Sequence, residues 1–353
     1  CNASNTNKEL VVERCTLTSK VRTVGPSSNA YQTVKPNEYE APCSGRSVLL
    51  DGFPSGTHHW CQEDHTLTVC SNETKDDNLS PPSFLLLRWI DDFLFISTSS
   101  KQASSLFRRM ERGFKEYNCE MNKKKFGLNF DVGHNSHIQN RLHIGMDGIQ
   151  FIPWSGLLIN CHTLEIQADY TRYLGITVSS TITVETSFSG LSSLKAKLCD
   201  YMRPKCHPLF YDAYINSPQI VRLNAYQAFL LCAMKFHCYI RSFRDKIELH
   251  SSYLLETIEK SFRFMYKLIK KQMQNMGVYF RINPVLELKV EEMIWLGLSA
   301  YIWVLKKKQS RYKDLLVLLR CKISVYGDMT DASDSLKYAV DDSHSSVFQY
   351  IHF

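Results

Sequence analysis

The chain holds 353 residues, 44% of them hydrophobic, with 42 Lys+Arg against 35 Asp+Glu for a formal charge of +7. That length has room for two domains and that apolar content supports packed cores, which excludes a wholly disordered polypeptide. The mild basic excess suits an anionic partner without establishing one, and since no apolar run approaches the roughly 20 residues needed to cross a bilayer, no membrane partner is expected.

Residues 1–82 are rich in Ser, Thr, Asn and Pro, hold five cysteines and show no sustained periodicity, so poor order is expected there. The chain starts at Cys1 and not at Met, which reads as a fragment or an incomplete gene model. The sequons Asn2-Ala3-Ser4 and Asn72-Glu73-Thr74 read as chance matches, since no signal peptide is recognised. None of the 12 cysteines falls in a Cys-x-x-Cys pair. Reduced thiols in the nucleus or cytoplasm are therefore expected in place of a disulfide framework. Cys206-His207 and His237-Cys238 are half sets without a partner pair at zinc spacing.

From Phe84 to Ser97 two apolar runs rich in Phe, Leu and Ile predict a buried β-hairpin, and Asp91 and Asp92 stand side by side between them. Two adjoining carboxylates in apolar surroundings repel each other and are costly to desolvate unless a cation joins them. Mg²⁺ takes hard oxygen ligands of this kind and leaves room for water and phosphate, although Asp-Asp pairs also occur in solvated turns. Ser99 followed by Gln102 predicts a capping box, and Leu106, Phe107, Met110, Phe114 and Tyr117 place a helix over the segment to about Tyr117, with Gly113 weakening its end.

Short strands are expected at Gln150–Ile152, Gly156–Ile159 and Leu164–Gln167, with a turn at Asn160–Thr163. Beyond Gly190 the period becomes helical, with apolar faces over Gln219–Arg241, Tyr253–Met273, Val290–Lys306 and Tyr312–Leu319. Such faces are core faces first. After Gly327, five aspartates read as a loose acidic tail.

The acidic pair, with Trp89 two positions and Arg88 three positions ahead of Asp91, resembles motif C of reverse transcriptases, and the following text narrows the likeness. Arg112-Gly113-Phe114-Lys115-Glu116-Tyr117-Asn118-Cys119, continuing through Asn122, Lys125, Asn129 and Phe130, is similar to motif D of telomerase reverse transcriptases. Phe151-Ile152-Pro153-Trp154-Ser155-Gly156-Leu157-Leu158-Ile159 resembles the motif E primer grip. Lys205-Cys206-His207-Pro208-Leu209-Phe210 and Ile215-Asn216-Ser217 resemble that family's carboxy-terminal extension. The likeness covers roughly residues 83–325 in the family's order, which no single motif could match for specificity.

The resemblance implies an α+β fold: a partial reverse-transcriptase palm, an antiparallel sheet with a packed helix, followed by an all-α thumb bundle. The expected divisions are 1–82 outside the family pattern, 83–172 partial palm, 173–326 thumb and 327–353 acidic tail. It implies RNA-templated addition of deoxynucleotides to telomeric DNA 3′ ends. Asp91 and Asp92 would hold Mg²⁺, Lys125 would meet the triphosphate, and Trp154, Ser155 and Gly156 would seat the primer. Lys195, Lys197, Arg203 and Lys205 would contact nucleic acid. The implied partners are telomerase RNA, telomeric single-stranded DNA, the RNA–DNA hybrid, deoxynucleoside triphosphates and the rest of the telomerase catalytic subunit, at telomeres in the nucleus.

For Lys125 a solvated surface lysine is the plain alternative, and for Trp154 a buried indole at a strand end. No motif A, with its metal-binding aspartate, is found, and Gly52-Phe53-Pro54-Ser55-Gly56-Thr57 is only a faint echo of motif B. The isolated chain is therefore expected not to polymerise. A retroelement reverse transcriptase and a non-catalytic RNA–DNA duplex-binding module remain the competing readings.

Overall fold

The computed structural model describes residues 9–14, 68–70, 84–89, 92–114, 120–131, 140–183, 190–242, 250–280, 283–327 and 333–353. The described residues fall into two compact units, one ending at Leu142 and the other starting at His143.

The first unit is an antiparallel sheet built on strands β1 (Glu9–Arg14), β2 (Thr68–Cys70), β3 (Phe84–Trp89), β4 (Asp92–Ser97) and β5 (Gly127–Leu128), in the order β2-β3-β4-β1-β5. The β3–β4 hairpin falls where the apolar runs place it, and Trp89 pairs with Asp92 at its closed end. Helix α1 (Ser100–Arg112) packs on this sheet through Ala103, Phe107 and Met110, and Phe107 meets Phe126 edge to face at 5.3 Å.

The cap of α1 is half of the expected box. Ser99 Oγ accepts from the Gln102 backbone N–H, but the Gln102 side chain turns to Ser97 Oγ at 2.9 Å. The helix stops five residues short of Tyr117, because Gly113 takes φ 70° and its N–H closes on the Met110 carbonyl. β1 departs further from expectation. It comes from the segment expected to be poorly ordered, yet it is an inner strand, paired with β4 on one side and β5 on the other. Leu10-Val11-Val12 has the β-branched character that an inner strand selects, but the run is too short to announce itself among polar neighbours.

The second unit opens with a four-stranded meander, β6 (His143–Ile144), β7 (Gln150–Trp154), β8 (Leu157–Asn160) and β9 (Ile166–Ala168). Helices α2 (Gly190–Met202), α3 (Pro218–Ser242), α4 (Ser251–Phe280), α5 (Val290–Lys306) and α6 (Gln309–Ser324) follow, then the short α7 (Asp334–Val340) and α8 (Val347–Tyr350). The α+β order expected from the sequence is thus observed, and α5 has the bounds its periodicity gives. Of the described helices, none is long and apolar enough to cross a membrane.

Helix α3 is buried on every face, from Ile220 through Met234 and again from Phe236 to Ile240. α2, α5, α7 and β9 surround it. α4 contributes one stripe, Leu254, Ile258, Phe262, Met265, Ile269 and Met273, all buried. Arg222 on α3 forms a buried two-pronged bond to Glu292 on α5, at 2.8 Å to each carboxylate oxygen. The same carboxylate accepts the Lys289 backbone N–H and so caps α5.

The tail expected to be loose is a packed element. Leu336, Ala339, Phe348 and Ile351 are buried, the Phe348 ring lies 4.8 Å from Tyr170, and Gln227 of α3 donates to the His344 carbonyl. His344 stacks on Tyr338 at 3.7 Å and reaches Asp147 at 3.4 Å. The aspartates that mark this segment as solvated are spaced between apolar anchors, and the anchors decide its place.

Gly297 of α5 lies close against α4: a Cβ there would lie 2.7 Å from the buried Phe262 ring. Gly297→Ala is therefore expected to destabilise the chain by about 1–3 kcal/mol through overpacking, read as a lower urea midpoint. An unchanged midpoint would show that α4 and α5 are not held this tightly.

Candidate nucleic-acid interface

Asp92 is the first residue of β4 and is half-buried. Asp91, its companion in the sequence motif, lies outside the described residues, as do Gly52–Thr57 and Lys115–Cys119. Directly across from Asp92 on the neighbouring inner strand is Arg14, so β1 brings no carboxylate to that register position. Among the described residues, no three His, Cys, Asp or Glu converge as a metal centre would need. Of the two paired aspartates Asp92 is the one among the described residues, and its carboxylate has hard oxygen donors of the kind Mg²⁺ prefers.

The basic run below the hairpin forms a single 3₁₀ turn, Lys123–Lys125, capped by Asn122, whose Oδ1 accepts the Lys124 N–H at 3.1 Å. Lys123 and Lys124 are exposed and Lys125 is half-buried. Phe126 next to it is fully buried against α1, so the core fixes where this turn can stand.

Trp154-Ser155-Gly156-Leu157 closes the β7–β8 hairpin. Ser155 at φ 47° and Gly156 at φ 83° give the two left-handed residues that a tight hairpin turn requires. The indole of Trp154 is only 6% exposed. Trp154 therefore takes the buried strand-end position that the sequence left as its plain alternative. Backbone at Ser155 and Gly156 is what the turn offers to a partner. The Gly156 carbonyl accepts from the Asp169 N–H at 2.9 Å, which ties the turn to the segment after β9.

The four basic residues expected to meet nucleic acid divide into two groups. Lys195 and Arg203 are exposed and both influence the Cys199 thiol, while Lys197 reaches Thr183 Oγ1 at 3.5 Å. Arg203 also pairs with Asp200 at 3.2 Å and lies over the Phe264 ring. Lys205 turns the other way, with Nζ 5.0 Å from the centre of the Tyr170 ring. Burial, reinforced by Arg172 and Lys235 nearby, brings its ammonium down to about 7.

Arg172 and Lys235 were not singled out by the sequence. The usable signal for Lys235 is a lysine within the long apolar run Ala228–Ile240 of α3.

The half sets of possible zinc ligands have other work. His207 Nδ1 accepts the Leu209 N–H and caps a 3₁₀ turn, and Cys206 Sγ bonds the Met202 carbonyl. His237 Nδ1 meets the Tyr312 hydroxyl at 3.0 Å. Burial holds both imidazoles down, to about 4, and therefore neutral at physiological pH.

Residues 192–320 match the family described as telomerase reverse transcriptase, C-terminal extension. The telomerase reverse transcriptase of Oryza sativa subsp. japonica is 56% identical over 273 residues, which are 76% of this chain and 21% of that protein. The chain belongs to the telomerase reverse transcriptase family. The telomerase reverse transcriptase of Arabidopsis thaliana is 47% identical over 278 residues, 78% of this chain and 25% of that protein. The chain thus spans about a fifth to a quarter of the length of these relatives. A solved structure of apo telomerase from Candida tropicalis aligns over 67% of this chain and 32% of that one, at 16% identity and a TM-score of 0.28, so the fold rests on the elements described above.

The depressed ammonium of Lys205 sets a direction for stability. Between about pH 7 and its ordinary 10.5 the folded chain binds fewer protons at Lys205 than the unfolded chain, so this residue's contribution improves as pH rises through that window. Below pH 7 the folded state carries a charged, half-buried ammonium. Lys205→Met is expected to raise the melting temperature most at pH 6, by a few degrees at about 2–4 °C per kcal/mol, with the gain shrinking by pH 9. A pH-independent gain would show that the ammonium is solvated.

Proposed function

We propose that the chain is the latter part of a telomerase catalytic subunit, contributing to RNA-templated addition of deoxynucleotides to telomeric DNA ends in the nucleus. The observation that carries this is the placement of Asp92 at the closed end of a hairpin inside an antiparallel sheet, in a chain of this family. Asp91 and Asp92 would hold Mg²⁺ together with donors from the rest of the subunit. When bound, the ion would supply charge stabilisation at the phosphates of the reacting strand and nucleotide.

The other roles fall to the chain's own residues. Lys125, held by the capped turn, would meet the triphosphate and screen or protonate the leaving pyrophosphate. The Ser155–Gly156 backbone would seat the primer end, where glycine permits close approach of a sugar-phosphate. The helical unit would grip the RNA–DNA hybrid through phosphates, which carry no sequence information, so the repeat added would be set by the telomerase RNA.

The isolated chain would bind and not polymerise. The strand beside Asp92 reads Glu9-Leu10-Val11-Val12-Glu13-Arg14, with a base where a further carboxylate would be needed to share the metals. This favours the duplex-binding reading for the chain on its own.

In the complete subunit, Asp91→Ala and Asp92→Ala should each reduce primer extension about a thousandfold or more, the equivalent of several kcal/mol of barrier, while RNA binding persists. Retained extension would be decisive against the assignment, and nucleotide addition by the purified 353-residue chain would overturn the inactivity.

A further inference from the structure

The turn between β6 and β7 reads Gly145-Met146-Asp147-Gly148, and it folds the Asp147 carboxylate back over its own backbone. A Cβ at Gly145 would lie 2.5 Å from Asp147 Oδ1, so the missing side chain of Gly145 leaves that carboxylate its place. Oδ1 accepts the Ile149 N–H at 3.0 Å, and Oδ2 lies 3.4 Å from His344 Nδ1. Held this way, Asp147 stands in the wall of a cavity of about 70 Å³ enclosed by the meander, α3 and the segment that follows α7.

Two buried amides line the same cavity. Gln167 on β9 is paired across the sheet with Leu158, which also lines it, and is only 8% exposed. Its side-chain amide makes no hydrogen bond among the described residues. Gln227 on α3 is 4% exposed and gives an N–H to the His344 carbonyl, which leaves its Oε1 buried and without a donor. Buried amides are ordinarily paired, because losing their water without a replacement is unfavourable.

The charge around the cavity has one sign. No lysine or arginine lines it, Asp147 does, and burial together with Asp147, Glu165 and Asp341 pushes the Tyr338 hydroxyl beside it above its ordinary range. Water would satisfy the amides and leave the charge unmet. A divalent metal would meet the charge but needs more anionic oxygens, and among the described residues no three His, Cys, Asp or Glu converge. Size narrows the choice further: a cavity of about 150 Å³ holds benzene, so half that volume suits a guest of about three or four non-hydrogen atoms. Phe151, Leu158 and Leu223 give such a guest an apolar wall.

We propose that this cavity binds a small alkylammonium ion, with Asp147 as its counter-charge and the amide oxygens of Gln167 and Gln227 as its hydrogen-bond acceptors. An ammonium brings three donors and no acceptor. The nitrogen of Gln227 is already committed to a carbonyl, so its oxygen is the end that lacks a partner, and the unpaired amide of Gln167 is at liberty to present the same atom. None of the residues assigned to the metal, the triphosphate or the primer lines this cavity, so the site stands apart from those roles. The ion joins the meander to the segment after α7, and its binding stabilises the folded unit by mass action.

The test titrates n-propylammonium into the full 353-residue chain by calorimetry, in about 0.3 M KCl to screen looser attraction to surface acids. The uncharged 1-propanol, of equal size, is the control. Propylammonium should bind one site with a Kd of about 0.1–1 mM and raise the melting temperature as its concentration grows, and 1-propanol should do neither. Asp147→Asn should weaken binding about tenfold or more, because a charged acceptor is lost. Gln167→Met keeps the side chain's length and should weaken binding about fivefold. In the absence of amine the same variant should melt higher, since an unpaired buried amide is gone.

Circular dichroism checks the fold of both variants, and Gln167→Met decides if Asp147→Asn fails to fold. Equal binding of 1-propanol would overturn the ammonium assignment. Amine binding untouched by either substitution would place the ion elsewhere and overturn the site. If Gln167→Met melts lower and keeps its amine affinity, Gln167 is a structural residue and the proposal falls. It falls too if propylammonium neither binds nor raises the melting temperature, which would make the cavity a hydrated seam.

Discussion

The second unit is organised by the need to cover α3 on every side. An apolar helix with one buried stripe can be served by one neighbour, but α3 presents buried residues around its whole circumference. That requirement recruits α5 along one flank, α2 and β9 along others, and the segment after residue 333 to close the remainder. The docking of α7 follows from it: Gln227 supplies the polar tie to His344, and Leu336 and Ala339 supply the apolar cover. The polar groups on α3 are accordingly few and specifically engaged. Arg222 meets Glu292, Asn224 donates to the Ile166 and Phe210 carbonyls, and Lys235 lies over a tyrosine.

How much of this was legible in the sequence follows from the length of each signal. The β3–β4 hairpin and α5 are long enough for period and composition to define them, and both appear where expected. β1 is six residues in a polar segment, and its inner position depends on partners more than fifty residues away in the chain. The segment after Gly327 was misread because aspartates dominate its composition, whereas Leu336, Ala339, Phe348 and Ile351 determine its packing. The primer-grip motif was legible as a turn and not as an orientation: a sequence pattern cannot say which side of a strand end a tryptophan takes.

The candidate site shows the same limit more sharply. Lys205 was visible because it sits in a family-like motif, but Arg172 and Lys235 are separated from it by about thirty residues on either side, and only the folded chain brings their charges to bear on it. Lys205 also illustrates a conflict between folding and binding. A half-buried ammonium beside two other cations lowers stability near neutral pH, and such a cost persists in a protein where the group serves a partner.

Glu292 has one carboxylate and two duties, gripping the guanidinium of α3 and closing the first turn of its own helix. Sliding α5 along α3 by a single turn would strand both charges in an apolar interior and expose the helix start at the same moment. The contact therefore fixes the register of α5 against α3. A single carboxylate thereby sets both where one helix begins and which turn of its neighbour it faces.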